Sequence, residues 1–98
     1  MVFDIVNRLD PAAVQQFIRE HPLWIIEAGM LQRTFDLPTF PKAMEFVQKV
    51  GARAEQMNHH PDIDVRWKKV TLRLVTHDAG GLTELDTTLA AECDGFAR

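Results

Sequence analysis

Apolar positions along this chain recur first at helical spacing and then at strand spacing, and the changes of period predict seven elements. Val14, Phe17 and Ile18 mark a helical stripe. Asp10 offers an N-cap carboxylate, Pro11 takes the first helical position, and Leu9 is placed to staple against Val14. This helix stops before His21-Pro22, because a residue preceding proline is disfavoured in the helical region, and His21 reads as a loop residue. From Leu23 to Leu37 the period shortens: Trp24, Ile25 and Ile26 form an apolar cluster, Gly29 breaks it, and Leu31, Phe35 and Leu37 alternate with Gln32, Thr34 and Asp36. Two antiparallel strands joined near Gly29 are expected, with Pro38 closing the second.

Thr39 caps the next helix, with Pro41 inside its first turn. Phe40, Ala43, Phe46, Val47, Val50, Ala54 and Met57 then repeat at three and four, an amphipathic stripe that reads as core. Pro61 stops this helix at about Asn58. Beyond it the period is two again, but the phase slips: Val65 and Trp67 fall on odd positions, and Val70, Leu72 and Leu74 on even ones. A two-residue connection at Lys68-Lys69, with Trp67 facing Val70, repairs the phase; a bulge is the competing explanation. His77 falls at the end of the last strand, out of phase with Leu72 and Leu74, so it is not a core histidine. Gly80-Gly81 makes a turn, and Thr83-Glu84-Leu85-Asp86 opens the last helix as a near capping box, whose inner face carries Leu85, Leu89, Cys93 and Phe96. The order α-β-β-α-β-β-α predicts an α+β single domain: a four-stranded, mainly antiparallel sheet with three helices packed on one face, the other face left open.

Composition narrows the class of function. Ninety-eight residues, 46% of them hydrophobic, make one modest core. The net charge of -3 comes without a basic cluster, which argues against a direct nucleic-acid partner. Asp4 interrupts the apolar run that a signal peptide would need, no stretch approaches membrane-spanning length, and the lone Cys93 has no disulfide partner within the chain. A soluble, cytoplasmic protein is expected.

Chemistry concentrates in Glu55-Gln-Met-Asn-His-His-Pro61. Two adjacent imidazoles halted by proline are hard to explain as packing. Glu55 and His59 are four apart, so on a continuing helix they share a face, and the carboxylate can hold an imidazole in one tautomer. With His60, His77, Asp86 and the aromatic surface of Trp67, the set suggests acid–base work. A zinc site is the rival, although adjacent His59 and His60 on an extended chain point to opposite sides and pair poorly as ligands.

The spacing Glu55, three residues, His59-His60-Pro61, five residues, Trp67, nine residues, His77, eight residues, Asp86 resembles the signature of the pterin-4a-carbinolamine dehydratases, seven positions across 32 residues. Leu31, Arg33, Phe35 and Phe40, with Thr76-His77-Asp78 and Gly80-Gly81-Leu82-Thr83, extend the likeness over roughly Leu9 to Phe96. Trp67 stands where tyrosine is common. Residues 1–8 have no counterpart and read as an N-terminal extension to a domain at 9–98. The resemblance implies dehydration of 4a-hydroxytetrahydrobiopterin to quinonoid dihydrobiopterin, recycling the pterin of an aromatic amino acid hydroxylase, with the pterin as substrate and neither metal nor bound cofactor required. It implies His59 and His77 as acid–base groups, His60 as a substrate-positioning group and Glu55 as the orienter of an imidazole. Asn58, Thr76 and Asp78 flank them as substrate contacts. Trp67 stacks on the pterin or is simply a half-buried strand aromatic, and Asp86 touches substrate or caps the last helix. The resemblance further implies a homodimer or a homotetramer, and leaves a second reading: a dimeric binding or regulatory module, since animal members double as dimerisation cofactors of a transcription factor.

Overall fold

The computed structural model describes residues 7–98. Its elements run α1 Pro11–Glu20, β1 Ile25–Glu27, β2 Met30–Asp36, α2 Phe40–Met57, β3 Asp62–Arg66, β4 Lys69–Leu74, a 3₁₀ turn His77–Ala79, and α3 Glu84–Phe96. The expected α-β-β-α-β-β-α order holds. All three strand pairings are antiparallel, in the sheet order β1-β2-β4-β3. Most of the N-terminal extension read from the sequence, residues 1–6, lies outside the described residues.

The helix starts form as their caps dictate. Asp10 Oδ1 accepts from Ala13 N–H at 2.8 Å, and Thr39 Oγ1 from Lys42 N–H at 3.2 Å, each satisfying an amide that has no partner within its helix. Phe17 from α1, Ala43, Phe46, Val50 and Ala54 from α2, and Leu89, Ala90 and Cys93 from α3 join Leu31, Phe35, Val70, Leu72 and Leu74 of the sheet in one core. Cross-strand partners share a face, so Leu31 opposite Leu74 and Phe35 opposite Val70 turn the same side of β2 and β4 toward the helices. The open face carries Thr34, Thr71, Gln32 and Arg73, which bond across strands at 2.7 and 2.8 Å.

One hairpin forms as expected and the other differs in an instructive way. Ala28 and Gly29, at φ of 52° and 78°, make the two-residue turn between β1 and β2, close to where Gly29 predicted it. The second turn is Trp67-Lys68, not Lys68-Lys69, since Arg66 pairs with Lys69 and Val65 with Val70. That register puts Ile63 and Val65 on the same face as Leu72 and Val70. Its cost is a tryptophan at φ 54°, 71% exposed, and therefore not facing Val70. Of the apolar cluster at residues 24–26 only Trp24 is buried, because β1 is an edge strand; Ile25 and Ile26 are exposed.

A polar hub ties the elements together at Asp94. Its carboxylate accepts from Arg33 at 2.5 Å, Trp24 Nε1 at 2.8 Å and His21 Nδ1 at 3.2 Å, so β2, the entry to β1 and the end of α1 all close onto α3. His21 also stacks on Phe17, with centroids 4.3 Å apart. The Asp94 partner of this loop histidine is tertiary, which local pattern does not show.

Candidate active site

The site begins where α2 ends. Asn58 adopts the left-handed conformation at φ 50°, one that asparagine tolerates better than most residues, and its N–H bonds Glu55 O at 3.1 Å while His59 N–H reaches back to Ala54 O at 3.0 Å. This closure ends the helix before His59. It also takes His59 off the face of Glu55, so the expected Glu55–His59 pair does not form. Glu55 Oε1 instead lies 2.8 Å from His60 Nε2, on the surface. His59 is 8% exposed, and its Nε2 lies 2.6 Å from Asp86 Oδ1.

Asp86 arrives there because it belongs to a capping box. Thr83, the N-cap of α3, accepts from Leu85 N–H through Oγ1 at 3.2 Å, and its own N–H donates to Asp86 Oδ2 at 2.9 Å. The shortened box, with aspartate in place of glutamate, holds the carboxylate close to the backbone. Asp86 is fully buried. It caps α3 and holds an imidazole, which bears out the capping reading.

Thr76 completes the group. Beyond β4 it pairs with Gly81 in an isolated antiparallel bridge, and its hydroxyl lies 2.8 Å from Asp86 Oδ2 and 2.7 Å from Thr83 Oγ1. The next residue, His77, opens the 3₁₀ turn, whose closure relies on Gly80 at φ 72°, and His77 and Asp78 are both exposed. His77 thus lies three residues past the strand end where its phase had placed it. The bonds His59–Asp86–Thr76 bring the end of α2, the start of α3 and the turn bearing His77 to one place. Asn58 and Asp78 flank that place by sequence and are exposed.

Trp67 is not part of this gathering. β3 runs five residues from Asp62 to Arg66, so at ~3.3 Å per residue the hairpin tip lies roughly 17 Å from the end bearing His60. The half-buried strand reading gives way to an exposed turn residue beside Lys68, whose Nζ is 5.3 Å from the ring centroid. Sequence reasoning treated Thr83 as a cap alone; the short aspartate three residues on, in place of glutamate, was the available signal.

Among the described residues, no group of three or more His, Cys, Asp or Glu side chains gathers so as to hold a metal ion. No helix among them is long and apolar enough to cross a membrane. Clefts of about 620 and 630 Å³, lined by Arg8, Met57 and Glu84 and by Arg53, Glu92 and Phe96, contain none of the histidines. Burial pushes the Cys93 thiol up to about 12, helped by Asp94 and Glu92, so it is no nucleophile at neutral pH. What remains is an imidazole held by a buried carboxylate, with one exposed imidazole, His60, next to it in the chain and another, His77, next to Thr76: an arrangement suited to moving protons on and off a bound molecule.

The chain is similar to known proteins. A family model described as "Pterin 4 alpha carbinolamine dehydratase" matches residues 7–96. A protein of Roseiflexus sp. (strain RS-1), named "Putative pterin-4-alpha-carbinolamine dehydratase", is 46% identical over 92% of this chain and 97% of its own length. A crystal structure titled as a transcriptional coactivator/pterin dehydratase from Brucella melitensis superposes with a TM-score of 0.89 at 28% identity, over 94% of this chain and all of that one. A pterin dehydratase-like protein described as a RuBisCO assembly factor in the alpha-carboxysome shares the fold, with a TM-score of 0.63 at 23% identity, over 76% of this chain and 86% of its own.

Proposed function

Because the chain belongs to the pterin 4 alpha carbinolamine dehydratase family, we propose that it dehydrates 4a-hydroxytetrahydrobiopterin to quinonoid dihydrobiopterin and water, returning the pterin to an aromatic amino acid hydroxylase. The observation that carries this reading is the buried His59–Asp86 pair inside the complete signature. Breaking the C4a–O bond needs a proton on the departing hydroxyl, while a ring nitrogen gives one up as its electron pair forms the new C=N bond. Imidazoles, with an ordinary pKa of ~6.5, serve either step at neutral pH. In this reading His59 and His77 move the protons, and His60, steadied by Glu55, positions the pterin beside Asn58 and Asp78. The reaction asks for no metal or bound cofactor.

A second reading is supported by two structural neighbours, one described as a transcriptional coactivator/pterin dehydratase and one as an assembly factor: a dimeric binding or regulatory module. Edge strands β1 and β3 offer unpaired backbone to a second copy, so a homodimer or homotetramer in the cytoplasm suits both readings.

Stopped-flow absorbance separates them, with the carbinolamine generated in place by a pterin-dependent hydroxylase. Dehydration accelerated by the wild type, reduced about 10²- to 10⁴-fold by His59→Ala and indifferent to chelator, is the expected result. Decay at the spontaneous rate would overturn the enzymatic reading and favour the module.

A further inference from the structure

We propose that Thr76 and Thr83 are positioning residues: with Asp86 they form a one-directional hydrogen-bond chain that fixes His59 as its Nε2–H tautomer and leaves Nδ1 as the nitrogen that meets substrate. The directions follow from which groups can only donate and which can only accept. An ionised carboxylate accepts only, and a backbone N–H donates only. Thr83 N–H therefore donates to Asp86 Oδ2. The Thr76 hydroxyl, 2.8 Å from the same oxygen, spends its one proton there. The contact of 2.7 Å between the two threonine hydroxyls must then run from Thr83 to Thr76. Thr83 Oγ1 in turn accepts from Leu85 N–H. His59, Thr76, Thr83 and Asp86 are all buried, so bulk solvent does not offer their side chains an alternative partner that would let the chain reverse.

The consequence falls on His59. With Oδ2 occupied by two donors, Asp86 presents Oδ1 to the imidazole, 2.6 Å from Nε2. Nε2 must carry the proton. Nδ1 is then a lone-pair acceptor in the neutral ring and a donor in the charged one. The capping box that starts α3 is thus also the device that sets the chemistry of a residue 27 positions earlier. It also reassigns Thr76: its hydroxyl is committed inward, so its part is to orient rather than to bind. The catalytic half of this proposal rests on the dehydratase reading; the tautomer does not.

Nitrogen-15 NMR of the full-length protein, with the ring nitrogens assigned by comparison with His59→Gln, reads the tautomer directly. The neutral His59 ring should be protonated at Nε2 in the wild type. In Asp86→Asn the two donors should keep the amide oxygen on the Thr76 side, turn its NH₂ toward His59, and force the proton to Nδ1. A wild-type ring protonated at Nδ1 or divided between both forms overturns the proposal, as does an Asp86→Asn ring that stays protonated at Nε2. In the kinetic arm, Thr76→Val, close in shape but lacking the hydroxyl, should lower kcat roughly ten-fold or more with little change in KM, the scale of losing an outer partner of an oriented imidazole, and Thr76→Ser should restore it. Unchanged kcat in Thr76→Val, or no rescue by serine, overturns the role of the threonine. Absence of any wild-type dehydration sinks the dehydratase reading alone, because the tautomer measurement needs no turnover.

Discussion

His59 and His60 are neighbours in the chain, each hydrogen-bonded through Nε2 to a carboxylate, at 2.6 and 2.8 Å, and they have almost nothing else in common. The His59 and Asp86 side chains are 9% and 0% exposed; those of His60 and Glu55 are 58% and 80% exposed. In the first pair the carboxylate has two further donors and no solvent-exposed surface; in the second, solvent competes for every lone pair. Equal distance therefore does not mean equal constraint. The buried pair fixes a geometry that the fold must break to change, whereas the exposed pair can let go and re-form at little cost, which suits a group that adjusts to a ligand.

The largest effect should come from removing the buried carboxylate. Asp86→Ala leaves the His59 ring N–H, the Thr76 hydroxyl and the Thr83 amide without their acceptor in a dry site, and deletes half of the capping box. Breaking a buried pair by removing one partner costs about 3–5 kcal/mol. For a domain of this size that corresponds to a fall on the order of 15 °C in Tm, readable by thermal unfolding. A variant melting within a few degrees of the wild type would show that burial adds nothing to the pair.

Cys93 supplies the third case, burial without an opposite charge. Its thiol is raised from 9.0 to about 12, first by burial and then by Asp94 and Glu92. Because the folded value lies above the unfolded one, the neutral thiol's contribution is fully present below pH ~9 and is lost as the pH rises toward 12. Urea midpoints should therefore fall across that window in the wild type and fall less in Cys93→Ala, whatever the smaller core costs at neutral pH. Equal slopes in the two proteins would mean that the thiol does not titrate with folding.

The same contrast explains what could be read from the chain beforehand. Caps and periods are local, so Asp10, Thr39 and Thr83 announced their helices and the alternation at residues 70–74 announced β4. The acid–base cluster was legible as well, because a histidine pair before proline has no packing rationale. What local pattern could not supply was partnership: a carboxylate four residues from His59 is the natural guess, but the left-handed Asn58 hands Glu55 to His60 and leaves His59 to Asp86, 27 residues on. Trp67 was misplaced for a related reason. The buried set Val70, Leu72 and Leu74 decides the hairpin register, and the aromatic residue takes a strained turn position as the result.

The smallest effect should come from Glu55→Gln, and its smallness is the point. The amide keeps the length and an acceptor oxygen but loses the charge, and the pair it disturbs is surrounded by solvent. Exposed pairs of this kind often contribute nothing measurable to folding, so the Tm should not move. If the carboxylate steadies His60 against the pterin, the loss should appear as a KM raised several-fold with kcat close to wild type, the mark of binding shared equally by ground and transition states. A fall in kcat at constant KM would instead put Glu55 in the proton-transfer step itself. The surface pair would then be the chemical one, and the buried pair a matter of folding.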